Sequence, residues 1–182
     1  MNYGKINKND IANGPGVRVT RFVSGCRRNC KGCFNKEAQS FSFGAPFTAQ
    51  TEQELLSALA PDHITGLTLL GGEPFEKENS AALASLVKRV RKEYPKKSVW
   101  CFSGYLFEEL LEEGEDAFAL LSVLDVLVDG PFVEEKKDLS LRFRGSSNQR
   151  ILNVPASLEE GRAVWQEGSW TRTMGSVDIY RS

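Results

Sequence analysis

Three cysteines crowd into eight residues, Cys26-x3-Cys30-x2-Cys33, and their type and spacing point to metal chemistry. Iron–sulfur clusters are normally held by four thiolates. Three on one short loop would leave one iron of a four-iron cubane without a protein ligand. Chemistry on a bound substrate needs such an open position, as catalytic zinc sites illustrate. The expectation is therefore a [4Fe–4S] cluster on Cys26, Cys30 and Cys33. Gly25 and Gly32 relax the backbone so that the loop can curl, and Arg27, Arg28 and Lys31 are expected to favour the thiolate form of their neighbours.

The residues alone leave alternatives open. A structural zinc site normally needs four Cys or His ligands. The single histidine, His63, precedes the second strand of the reading below, at the end opposite the Cys loop. Cys101 is a possible fourth ligand, but Trp100 and Phe102 flank it in a strand, where a small core residue is the plainer role. Cys30-x-x-Cys33 also has the spacing of a thioredoxin-like redox pair, which leaves Cys26 unexplained. The last alternative is an unrelated group of free cysteines, with the three cations merely solvated.

The elements that must position this loop alternate between strand and helix. Residues 17–23, rich in β-branched and aromatic side chains, read as a strand running into the Cys loop, and residues 39–48 look irregular. Thr51 with Glu54 reads as a capping box opening a helix on Leu55, Leu56 and Leu59. Residues 64–70 form a second strand ending at Gly71-Gly72-Glu73-Pro74, and Ser80 is placed as the cap of a helix burying Leu83, Leu86, Val87 and Val90. A third strand, 98–102, ends at Ser103-Gly104-Tyr105. One or two helices over 106–124, interrupted near Gly114, lead to a fourth strand at 126–128, which ends at Asp129-Gly130-Pro131. Each unusual loop follows a strand, and in parallel βα arrangements those loops meet at one rim. Too few units are visible for eight, so the fold expected is α/β, an incomplete TIM-type βα barrel or open sheet. Residues 1–154 are expected to form the site-bearing domain, with 155–182 as a C-terminal extension packed on it or trailing from it.

The balance of 23 basic against 24 acidic residues leaves no electrostatic footprint for nucleic acid. The first 16 residues are polar and Gly-rich, and no apolar run approaches a membrane span, so the expectation is a soluble, cytoplasmic protein.

The Cys triplet followed by Gly-Gly-Glu-Pro resembles the radical S-adenosylmethionine superfamily. Asn13-Gly14-Pro15-Gly16-Val17-Arg18 is similar to the glycyl-radical-enzyme activases within it. The stretches 22–26, 32–35 and 128–133 and the run Arg144-Gly145-Ser146-Ser147-Asn148-Gln149 carry the same resemblance in order along the chain. It implies the radical SAM form of the partial barrel, with Cys26, Cys30 and Cys33 as cluster ligands and S-adenosylmethionine chelating the open iron. It implies that Gly71, Gly72 and Glu73 hold the methionine amino group, with Phe34 against the adenine and the Gly32 and Cys33 backbone beside it. Many superfamily members place an aromatic just before the third cysteine, where this chain has Gly32. The implied reaction is one-electron cleavage of S-adenosylmethionine to a 5′-deoxyadenosyl radical, which takes hydrogen from a backbone glycine of a partner. The partner implied is anaerobic ribonucleoside-triphosphate reductase, with a pyruvate formate-lyase type enzyme as the alternative and a flavodoxin or ferredoxin as electron donor. Tyr105 and Ser103 read equally well as rim residues or as a loop capping the core. Asp129 reads as facing the cofactor or as starting a turn with Gly130 and Pro131, and the 144–149 run as binding cofactor, docking the reductase or holding a loop.

Overall fold

The computed structural model describes residues 1–168. The described residues form seven strands, most of them short apolar runs separated by Gly- and Pro-bearing turns. The first three are β1 (Asn2–Asp10), β2 (Val17–Val23) and β3 (Ala45–Pro46), followed by β4 (Ile64–Gly71), β5 (Ser98–Phe102), β6 (Val126–Asp129) and β7 (Arg150–Asn153). Among the described residues, five α-helices connect or follow them: α1 (Ala49–Leu59), α2 (Lys77–Glu93), α3 (Phe107–Glu112), α4 (Glu115–Leu121) and α5 (Val154–Glu160). The strands form one sheet in the order β3-β1-β2-β4-β5-β6-β7. The central four, β2, β4, β5 and β6, are parallel, while β1 and β7 flank them antiparallel. The α/β class expected from the sequence is what the chain adopts, as a mixed sheet with edges at β3 and β7.

Alternation within the strands sorts the two faces. Val19, Val23, Leu67, Leu69, Val99, Cys101, Leu127 and Leu152 share one core with Leu55, Leu56 and Leu59 of α1 and Leu83, Leu86, Val87 and Val90 of α2. Each such side chain contributes roughly 1.5–3 kcal/mol when fully buried. The other face carries a smaller cluster of Trp100, Val126, Val128 and Ile151 with half-buried Phe102 and Phe143. Parallel pairing brings Val23 opposite Gly71, Leu69 opposite Cys101 and Phe102 opposite Val128, so the loops after these strands start at one level.

The Gly14-Pro15-Gly16 segment is fastened beside the open face by Arg18, which is fully buried. Arg18 Nε donates to Thr68 Oγ1 (2.7 Å), Nη1 to Ser98 Oγ (3.0 Å), and Nη2 to the carbonyls of Leu67 (2.8 Å) and Ser98 (2.9 Å). Thr68 in turn donates to the Asn13 carbonyl and Thr65 to that of Pro15. Gly14 has φ 129°, and a Cβ there would lie 2.8 Å from Arg18 Cδ. This motif therefore anchors the sheet. Arg18→Lys keeps the charge but cannot span the same fork of acceptors, and about 1–3 kcal/mol of stability should be lost in urea unfolding.

Several boundaries differ from the sequence reading. α1 starts two residues before Thr51: Thr48, extended at φ −108°, is its cap and accepts the Thr51 N–H. Ser80 is buried inside α2, because the turn through Pro74 and Glu76 lets the helix begin at Lys77. β1 was not anticipated; it is a polar strand near the sheet's edge, half-buried or exposed at every residue but Asp10, so no apolar alternation marks it. In the extension, Gly161 ends α5 in the left-handed region (φ 65°), and the Asn153 N–H then reaches the Val164 carbonyl while the Gln166 N–H reaches that of Ile151. Residues 158–165 are thus part helix and part strand-like edge cover over β7, and residues 169–182 of the extension lie outside the described residues. No helix among the described residues is long and apolar enough to cross a membrane.

Candidate functional site

A cavity of about 660 Å³ opens where the loops after β2, β4, β5 and β6 meet. Cys26, Cys30, Cys33 and Phe34 reach it from the first loop, Gly71, Gly72 and Glu73 from the second. Ser103 and Gly104 come from the third, and Gly130 and Phe132 from the fourth. All three cysteines are half-buried, unpaired thiols.

The Cys loop is closed at its stem, where the Gly25 N–H bonds the Ala38 carbonyl (2.8 Å) and the Cys26 N–H that of Gln39 (3.1 Å). A further turn bonds the Cys33 N–H to the Cys30 carbonyl (3.2 Å). The Gly-Gly-Glu segment continues the β2–β4 pairing beyond the strands: the Gly72 N–H reaches the Val23 carbonyl (2.7 Å) and the Glu73 N–H that of Gly25 (2.8 Å). A Cβ at Gly72 would stand 2.4 Å from the Gly25 oxygen, so only glycine permits this approach.

Glu73 is 1% exposed. Its Oε1 accepts the Phe75 N–H (3.0 Å) and the Ser103 hydroxyl (2.9 Å), and its Oε2 accepts the Gly104 N–H (2.7 Å). Two carboxylate oxygens offer about four acceptor positions, so three described donors leave room for one more on Oε2. Burial pushes the carboxyl up to about 7 against the opposing pull of these hydrogen bonds.

The expectation that Arg27, Arg28 and Lys31 favour the thiolate does not hold at Cys26. Arg27 pairs with Glu76 and Glu78, Lys31 with Glu134 and Glu135, and Arg28 with Glu109. Burial, reinforced by the charges of Glu73 and Glu76, pushes the Cys26 thiol up to about 11. Cys26 is therefore protonated at neutral pH, and a metal must displace that proton. Iron uptake by the apoprotein at fixed iron and sulfide should rise from pH 7 to pH 8.5, by at most about tenfold per pH unit for one displaced proton.

Cys101 is no fourth ligand. It is fully buried in the helix-side core, and burial raises its thiol well above the usual range. Among the described residues, no group of three or more His, Cys, Asp or Glu side chains could hold a single metal ion. A cubane asks for something different, since each thiolate takes its own iron. Three thiols distributed around one cavity fit that demand.

The remaining expected residues divide. Phe34 is 77% exposed at the cavity mouth, edge-on to Phe132 with Lys137 Nζ 5.7 Å from its ring. Gly32 is outside the wall: it adopts φ 72° beside the Glu134 carboxylate. Tyr105 supports the Arg28 guanidinium at 4.6 Å and packs on the core rather than lining the cavity. Asp129 is fully buried, accepting the Phe107 N–H and two bonds from Arg150, so it anchors a helix start. In the 144–149 run, Gln149 accepts from the Gly145 and Ser146 N–H groups and donates to Gly130, while Asn148 donates to Pro131. That run fixes the wall loop, with Arg144, Gly145 and Gln149 lining the cavity. The sequence reading missed the apolar floor of Phe22, Leu70 and Phe102, although the strand period places all three on one face.

An α/β domain with three thiols around an open cavity is the class that an iron–sulfur protein of one cluster would require. A family model described as "4Fe-4S single cluster domain" matches residues 12–152. An anaerobic ribonucleoside-triphosphate reductase-activating protein of Vibrio cholerae is 43% identical over 153 residues, covering 83% of this chain and 97% of that protein. Proteins of the same name from Escherichia coli (42% over 153 residues; 83% and 97%) and Enterobacteria phage T4 (38% over 151 residues; 83% and 93%) are similar as well. The chain belongs to the 4Fe-4S single cluster domain family and, within it, to the anaerobic ribonucleoside-triphosphate reductase-activating proteins.

Proposed function

We propose that this protein is a radical SAM activase that reductively cleaves S-adenosylmethionine and generates a glycyl radical on anaerobic ribonucleoside-triphosphate reductase. The observation that carries this reading is the meeting of Cys26, Cys30 and Cys33 with Gly71, Gly72 and Glu73 around one cavity. The cluster, when bound, supplies a low-potential electron to the sulfonium. The protein binds, orients and shields. Cys26, Cys30 and Cys33 would hold the cluster. Glu73, already oriented by Ser103 and Gly104, offers its remaining acceptor position to the methionine ammonium through a charge-assisted bond. The Gly71-Gly72 backbone permits close approach, and Phe34 offers an aromatic face to the adenine. Gly32 acts at one remove, letting the loop turn towards Cys33.

The order β2-β4-β5-β6, with the helices on one face and the cavity at the strand ends, supports reading the sheet as an incomplete βα barrel. Residues 1–154 carry the site, and the described part of the extension, 155–168, covers the β7 edge through Val164 to Gln166. The reading also makes the protein cytoplasmic and served by a flavodoxin- or ferredoxin-type donor. The test of the partner is electron paramagnetic resonance on mixtures of reconstituted protein, S-adenosylmethionine and reductant with the reductase or with a pyruvate formate-lyase. A glycyl radical on the reductase alone is the expected result, and a radical on the lyase alone would reassign the partner.

A further inference from the structure

The first turn of α2 reaches across to the Cys loop through two buried side chains, Glu76 (4% exposed) and Asn79 (1%). Asn79 Nδ2 donates to the Ser24 carbonyl (3.0 Å) and to that of Glu73 (2.9 Å), tying the stem of the Cys loop to the Gly-Gly-Glu segment. Glu76 acts further out. Its Oε1 accepts the Arg27 backbone N–H at 2.6 Å, immediately after Cys26, and its Oε2 pairs with the Arg27 guanidinium. That guanidinium also pairs with Glu78 and rests 4.2 Å from the centre of the Phe41 ring.

We propose that Glu76 is a positioning residue for the cluster: by holding both the backbone and the side chain of Arg27, it fixes the Cys26–Cys30 arc against the Gly-Gly-Glu loop. This inference rests on the reading that the three cysteines bind a cluster. Arg28, the next residue of the arc, is held through its side chain by Glu109 (3.7 Å) and the Tyr105 ring, whereas Glu76 takes the backbone of the arc as well. The stem bonds to Ala38 and Gln39 end at Cys26, and the next backbone-to-backbone bond along the loop joins Cys33 to Cys30. Without Glu76, Arg27 would keep Glu78 and the Phe41 ring, both through its exposed side chain, and the backbone between two ligands would lose its hydrogen bond to the start of α2. A loop so released holds its sulfurs less firmly around the metal. Ligand-orienting groups of this kind commonly change metal affinity by about 10–100-fold.

Three variants test this in the full chain: Glu76→Ala, Glu76→Gln and Arg27→Met. Each is reconstituted anaerobically with iron and sulfide, and the cluster absorbance is followed after adding a chelator. Urea unfolding of the apoproteins is measured in parallel. Glu76→Ala should lose its cluster about tenfold faster than wild type, with its apoprotein midpoint little changed. Glu76→Gln, which still offers an oxygen to the Arg27 N–H, should restore most of the difference. Arg27→Met keeps the backbone bond and should fall between. Equal rates in Glu76→Ala and wild type would overturn the proposal, as would an apoprotein destabilised in proportion to the faster loss. A wild-type chain that takes up no cluster would overturn the cluster reading itself, and this inference with it.

Discussion

Alanine at any one of Cys26, Cys30 or Cys33 should abolish cluster retention and cut cleavage of S-adenosylmethionine to below about 1% of wild type, because metal affinity here is set by ligand number. The fold offers no replacement. Cys101 is sealed beneath the helices, and His63 precedes β4, at the end of the strand away from the cavity. The loss should be selective. The core of α1, α2 and the central strands includes none of the three cysteines, so the apoproteins should unfold at the wild-type urea concentration. Iron and sulfide per chain after anaerobic reconstitution, read beside that midpoint, check the prediction. A single-cysteine variant with a full cluster would remove that residue from the ligand set.

Glu73→Ala should have the second largest effect, and it acts in two ways. It removes the acceptor of the Phe75 and Gly104 N–H groups and of the Ser103 hydroxyl, which costs about 1–3 kcal/mol for each buried group left unpaired. It also removes the anion offered to the ligand's ammonium, worth about 1.5–3 kcal/mol, or roughly 10–150-fold in affinity. Glu73→Gln separates the two effects: it keeps an oxygen for Phe75 and Ser103 but turns its amide NH2, a donor, towards the Gly104 N–H. Its stability should lie nearer wild type, while its affinity for S-adenosylmethionine should fall nearly as far as that of the alanine variant. The wild-type affinity should also depend on pH. The carboxyl sits at about 7 because burial raises it, so its charged form grows as pH rises through that value. Binding should therefore be weaker at pH 6 than at pH 8 by several-fold, with a flat profile for Glu73→Gln. Equilibrium binding at those two pH values checks both statements. Wild-type affinity in Glu73→Ala would take Glu73 out of the site.

Much of this site was legible because its parts are local. The Cys spacing, the Gly-Gly-Glu segment and the strands leading to them are contiguous, and the parallel βα pattern places loops that follow strands at one rim. The strand at 98–102 and the break between α3 and α4 at Gly114 were readable for the same reason. What escaped depends on partners distant in sequence. The cations of the Cys loop looked like activators of the thiols until Glu76, Glu78, Glu109, Glu134 and Glu135 were seen to engage them. Asp129 was compatible with a ligand-facing role, but pairing with Arg150, 21 positions along the chain, turns it into a structural anchor. Phe143, at φ 57° on the cavity wall, adopts a backbone state that nothing in a bulky aromatic residue foretells.

The most direct test of the central claim is chromatographic detection of 5′-deoxyadenosine after anaerobic reconstitution, dithionite reduction and addition of S-adenosylmethionine. The expected result is a brown, oxygen-labile protein that releases 5′-deoxyadenosine and methionine, an activity missing from all three cysteine-to-alanine variants. A colourless protein that binds zinc through the same loop and releases neither product would contradict the radical mechanism and make the Cys loop a structural site.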